Sequence, residues 1–177
     1  DEGYEISSSD TPKASLVVSI ANGEILWQEN PDRAVDPASL SKLMTIFIVY
    51  DAIKEGKISL SDKVVPTATD EAITALSNVP LTAGVEYPVE ELVKMALLPS
   101  SNAATILLSH LVNDNSDEFV DLMNQKAKEL GMTNTKFEGA TGAVAEDFQG
   151  HYTVKRHSMK QPNQTTARDL AKMVIAL

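Results

Sequence analysis

Residues 40 to 54, LSKLMTIFIVYDAIK, are nearly all apolar, and this run sets the strongest constraint on the fold. It is too long for a single strand, and Gly56 supplies a stop just beyond it. A helix apolar on every side has to sit inside the molecule. The pattern therefore predicts a buried helix that carries Lys42 into the interior. Ser39 lies three residues ahead of Lys42 in PASLSKLM, so on a helix the two share one face.

That placement has a chemical meaning. In the first turn, Ser39 would meet unpaired backbone N–H groups and the positive end of the helix dipole. Burial disfavours an ammonium ion and lowers a lysine's pKa, which makes Lys42 usable as a general base. Together they read as a Ser-Lys nucleophile pair, one of the variants of serine acyl-transfer chemistry. The plainer alternative is an N-cap serine followed by a surface lysine. About one Ser-x-x-Lys match is expected by chance in a chain of this composition. Ser39 and Lys42 form the only match present, and it falls on the one helix that reads as wholly buried.

A second constellation is PSSNAAT, where Ser100 and Asn102 sit between two helical segments. Ser and Asn are preferred N-cap residues, so the segment reads either as a cap or as a hydroxyl and an amide facing a cleft. His110, His151 and His157 form no metal-ligand spacing, and His110 reads as a packing histidine. No Gly-rich phosphate loop is present, and no metal or cofactor is expected. A net charge of -10 argues against nucleic acid, which needs a basic face. The chain has no cysteine, which excludes disulfides and thiolate metal sites. No apolar stretch approaches a membrane span, and no signal peptide is visible.

The remaining text reads as a mixed α/β (α+β) chain. Residues 1–13 are polar and are expected to be a flexible segment. Asn22-Gly23 between ASLVVSI and EILWQE predicts a hairpin with strands over 15–21 and 24–28. A short strand is expected at KVV and a weak helix at ATDEAITAL. Helices are predicted at YPVEELVKMALL, AATILLSHLV and SDEFVDLMNQKAKELG, with loops and short strands over 132–164. TTARDLAKMVIAL begins like a helix whose Thr166 and Asp169 suggest a capping box. The chain reaches Leu177 with no stop signal, which suggests a piece of a longer polypeptide.

DPASLSKLMT resembles the active-site motif of the serine penicillin-binding proteins that act as D-alanyl-D-alanine carboxypeptidases, and LLPSSNAAT resembles their Ser-x-Asn motif. The likeness continues through the opening hairpin, MNQKAKELGMTNTKFEGATG and the last helix, in the family's order. It implies a β-lactamase/transpeptidase-like fold with a helical subdomain, over residues 14–177. Ser39 is then the nucleophile, Lys42 the base and Ser100 a proton relay. Asn102 binds substrate or positions Lys42, and the Ser39 N–H is one oxyanion donor.

The implied substrate is a peptidoglycan stem peptide ending in D-Ala-D-Ala, with β-lactams as mimics, in the extracytoplasmic envelope. Membrane attachment would come only through a segment not in this chain. The Ser-Ser-Asn in place of Ser-Asp-Asn, and the lack of a clear Glu-x-x-x-Asn, weigh against a class A β-lactamase. A non-catalytic penicillin-recognising module is the third reading. No Lys-Thr-Gly occurs, so the sheet is expected to be incomplete and the cleft to lack a cationic wall. Two consequences are expected: weak catalysis by these residues alone, and an open sheet edge that self-association can cover.

Overall fold

In the computed structural model, residues 9, 11–75 and 79–177 are described. Most of the expected flexible segment, and the end of the ATDEAITAL helix at Leu76, lie outside the described residues.

The hairpin forms with a first strand shorter than predicted, β1 over Ser15–Val18, and a second of the predicted length shifted by one residue, β2 over Ile25–Glu29. Ser15 pairs with Glu29 and Val17 with Trp27, whereas Val18 pairs with Ile25, so Leu26 is the extra residue of a bulge. The turn reaches from Ser19 to Glu24, with Gly23 at φ +72 and the Asn22 side chain accepting from the Glu24 N–H. A turn that wide uses up the end of the first run, which is why β1 is short.

Helix α1, Ser41–Lys54, follows a 3-10 turn at Ala38–Leu40. It is central, as its composition demanded: Met44, Ile46, Ile48, Val49 and Ala52 are all buried. A short strand, β3 at Lys63–Val64, pairs antiparallel with β4 at Tyr87–Pro88. Between them α2, Ala68–Thr74, starts at a full capping box made by Thr67 and Asp70. Helix α3, Val89–Leu97, follows Pro88, which is its extended N-cap rather than part of its first turn. Helix α4, Asn102–Val112, is the innermost element, with every residue from Ala103 to Ser109 buried. It packs against α1, α2, α3 and α5, the last spanning Ser116–Glu129. Phe119, Met123 and Ala127 of α5 are buried, as their helical spacing predicted.

Helix α6, Ala167–Ala176, is capped by Thr166, whose side chain accepts from the Asp169 N–H. The return half of the expected box is absent, because the Asp169 carboxylate turns to the Asn134 N–H and the Thr135 hydroxyl instead. The described strands form two separate two-stranded sheets, with isolated bridges from Val35 to Thr165 and from Lys136 to Gln164. Helix α6 lies against β1, and Leu16, Val18, Leu170 and Val174 line an open apolar groove between them. All of β2 is exposed, including Leu26 and Trp27. The small, unfinished sheet agrees with the sequence expectation.

Candidate active site

The turn that presents Ser39 is built from its neighbours. The Asp36 carboxylate accepts from the Ala38 N–H at 2.7 Å, and the Pro37 carbonyl accepts from Leu40 N–H. Pro37 is buried while Ser39 is exposed. Ala38 adopts φ +46, a conformation that costs a non-glycine residue of order 1 kcal/mol or more. Facing it is Gly142 at φ +97, where a Cβ would lie 1.9 Å from the Ala38 carbonyl oxygen. Only glycine allows the two backbones to approach this closely.

Ser39 therefore sits in the 3-10 turn rather than in the first turn of α1. Lys42 lies three residues on, the second residue of α1, and is only 3% exposed. Its Nζ donates to the Thr141 carbonyl at 3.0 Å and to Ser39 Oγ at 3.3 Å. Both partners are neutral, so no opposite charge offsets the loss of water around the ammonium. Burial pulls the Lys42 pKa down from 10.5 to about 8.

The loop carrying Thr141 is pinned at nearly every step. Asn124 of α5 bonds both backbone groups of Phe137. The Thr45 hydroxyl of α1 donates to the Ala140 carbonyl at 2.7 Å, and the Tyr152 hydroxyl accepts from the Ala140 N–H. Burial pushes the Tyr152 phenol up to about 12, so it stays protonated at working pH. The Asn163 amide bonds Glu138 and Gly139.

Ser100 follows the helix-ending Pro99 at φ +61 and shares a recess of about 400 Å³ with Ser39, Lys42, Leu43 and Leu97. Between Ser100 and Asn102, Ser101 is fully buried and caps α4 by accepting from the Ala104 N–H at 3.1 Å. The middle serine is thus the helix cap, and it frees Ser100 to face the recess. Asn102 is the first residue of α4 and is partly buried. It is not among the residues lining that recess. The structure therefore brings Ser39, Lys42 and Ser100 together and leaves Asn102 beside them. His110 meets Ser116 Oγ at 3.0 Å and lies tilted beside the Tyr152 ring, centroids 6.3 Å apart, in keeping with a packing role.

Thr141, Gly142 and Asn163 belong to this site but were not singled out from the sequence. Gly142 falls in the 132–164 stretch, which the sequence marks only as loops and short strands. Thr141 acts through its carbonyl, which leaves no side-chain signature.

The arrangement suits nucleophilic acyl transfer: an exposed hydroxyl, a buried amine that loses its proton readily, and a second hydroxyl in the same recess. Several known proteins are similar to this chain. A family profile for D-alanyl-D-alanine carboxypeptidase covers residues 5–177. D-alanyl-D-alanine carboxypeptidase DacF of Bacillus subtilis is 36% identical over 141 residues, 80% of this chain and 35% of that protein. DacC of Escherichia coli is 34% identical over 183 residues, 100% of this chain and 42% of that protein. Among solved structures, a peptidoglycan synthesis regulatory factor (PBP3) from Streptococcus pneumoniae superposes with a TM-score of 0.85 at 30% identity, over 93% of this chain and 50% of that one. A penicillin-binding protein of Listeria monocytogenes, solved in its ampicillin-bound form, gives 0.71 at 29% identity, over 92% and 59%. The chain thus spans well under half the length of the two curated relatives.

Proposed function

The chain belongs to the D-alanyl-D-alanine carboxypeptidase family, and from that premise we propose that Ser39 and Lys42 are the nucleophile and base of a serine-type carboxypeptidase. The observation that carries this reading is the exposed Ser39 Oγ 3.3 Å from a buried amine whose pKa lies at about 8. At pH 7 about a tenth of such an amine is neutral, enough to keep a base in constant supply.

In the proposed reaction, neutral Lys42 Nζ takes the Ser39 proton as Oγ attacks the penultimate D-Ala carbonyl of a stem pentapeptide. The Ser39 N–H donates to the developing oxyanion. Ser100 relays the proton from Lys42 to the leaving amine, and the C–N bond breaks to release terminal D-Ala. Asn102 holds the substrate or steadies Lys42 from the start of α4. Water then attacks the acyl-enzyme and frees the shortened peptide. β-Lactams enter the same path and stop at the acylated Ser39.

Residues 14–177 are read as the part of the catalytic domain that carries nucleophile, base and relay. The cationic wall for the substrate carboxylate, and further strands beside the hairpin, are assigned to a part of the fold outside this span. We accordingly expect these residues alone to acylate weakly, and to self-associate where β1 and β2 lie open. The reading places the protein in the extracytoplasmic cell envelope. Among the described residues, no helix is long and apolar enough to cross a membrane.

Labelling with a fluorescent penicillin, followed by peptide mass mapping, tests the assignment. The adduct is expected on Ser39 and is expected to vanish in Ser39→Ala and Lys42→Ala. Retained labelling in Lys42→Ala would overturn the Ser-Lys mechanism. An acyl-enzyme lasting hours fits a carboxypeptidase, whereas rapid turnover would favour a β-lactamase.

A further inference from the structure

We propose that Asn163 is a positioning residue for the base, setting the distance between Lys42 and its carbonyl partner Thr141. The inference rests on the reading of Lys42 as the base. Asn163 is 3% exposed and uses its whole amide. Its Nδ2 donates to Ser41 Oγ at 2.9 Å and to the Gly139 carbonyl at 3.0 Å. Its Oδ1 accepts from the Glu138 N–H at 2.6 Å and the Gly139 N–H at 3.1 Å. Two donors and two acceptor sites are therefore all satisfied, which leaves the side chain one orientation.

The two ends of this clamp decide what it does. Ser41 begins α1 and is the immediate neighbour of Lys42. Gly139 lies two residues before Thr141 on the loop that turns back at Gly142. One amide thus ties the base-bearing helix to the loop that receives the base, across 122 residues of sequence on one side and 24 on the other. Thr45 to Ala140 is the parallel tie one turn further along α1. Fixed at both points, the loop holds the Thr141 carbonyl 3.0 Å from Lys42 Nζ and closes that side of the amine to water. Glu138 is the charged group nearest in the loop. It is engaged with Lys136 and His157 and accepts from the Ser158 N–H, so its charge is held away from the clamp.

Removing the amide leaves four polar groups lining a small space, the kind of site that takes up water. Water beside the amine favours its protonated form, and so does a carboxylate placed there. Every pH unit that the Lys42 midpoint rises cuts the neutral fraction at pH 7 about tenfold.

The experiment titrates Lys42 directly by NMR of isotope-labelled lysine side chains, in the protein as expressed in full. It compares wild type with Asn163→Ala, Asn163→Asp and Ser41→Ala. The Lys42 midpoint is expected to rise by a unit or more in both Asn163 variants and by less in Ser41→Ala. Penicillin acylation at pH 7 is expected to fall at least tenfold, and to recover as the pH is raised. A residue that only stabilises the fold would lower the melting temperature without moving the midpoint. An unmoved Lys42 midpoint in Asn163→Asp or Ser41→Ala overturns the proposal, even if Asn163→Ala does not fold. Failure of wild type to acylate at all would sink the functional reading instead. The titration would still decide whether Asn163 governs Lys42.

Discussion

Replacing Lys42 by methionine should trade activity for stability, and the size of the trade follows from the site. Methionine keeps the length of the buried stem and removes the charge. Between the ordinary lysine value of 10.5 and about 8, the fold disfavours the ammonium by roughly 3 kcal/mol, at about 1.36 kcal/mol per pH unit. Against this, the Thr141 carbonyl loses a buried donor, a cost of about 1–3 kcal/mol. At pH 7 the variant should therefore be more stable than wild type by about 0–2 kcal/mol, while acylation falls by orders of magnitude.

The sign changes with pH. Because the folded pKa lies below the unfolded one, the penalty on wild type is complete below about 8 and is relieved as pH rises towards 10.5. Above that window only the lost hydrogen bond remains, so the variant becomes the less stable protein. Urea unfolding of both proteins at pH 7 and near pH 10 measures the crossover. A stability difference that is the same at both pH values would refute the claim that Lys42 is held desolvated.

Gly142→Ala should abolish acylation, because the new Cβ meets the Ala38 carbonyl at 1.9 Å and pushes the Ser39 turn out of place; fluorescent penicillin labelling reads the loss. Thr45→Val keeps the shape of the side chain but orphans the buried Ala140 carbonyl, so it should cost about 1–3 kcal/mol by urea denaturation. Asp117 predicts an acid-sensitive loop. Burial pushes its carboxyl up, but the N–H groups of Lys155, Arg156 and His157 outweigh that and hold it below its ordinary 3.8. Its contribution is present above 3.8 and is lost as the pH falls through the lowered value, so Asp117→Asn should flatten the acid limb of the stability curve.

Residues close in sequence made much of this structure legible beforehand. The apolar run places α1 at the centre, Asn22-Gly23 locates the hairpin, and the spacing and setting of Ser39, Lys42 and Ser100 mark them as candidates. What escaped were ties between distant residues. Lys42 reaches Thr141 across 99 positions and Asn163 reaches Ser41 across 122, and nothing in the local sequence of either pair announces the other. Capping followed the same logic. The Thr67–Asp70 box depends only on its own turn, whereas Asp169 is drawn away from Thr166 by Asn134 and Thr135. Ser101 takes the cap within Ser-Ser-Asn, which leaves Ser100 to face the recess.

The hairpin near the start of the chain packs on α6, which begins about 150 residues later. During synthesis the strands emerge first and wait longest for their partner. The helices from α1 to α5 can settle meanwhile through much shorter loops. Throughout that interval Leu16 and Val18 lack the helix they face, and β2 presents an unpaired edge, the usual template for wrong pairing. Holding this hairpin apart until α6 arrives is the part of folding in which such a chain most needs a chaperone.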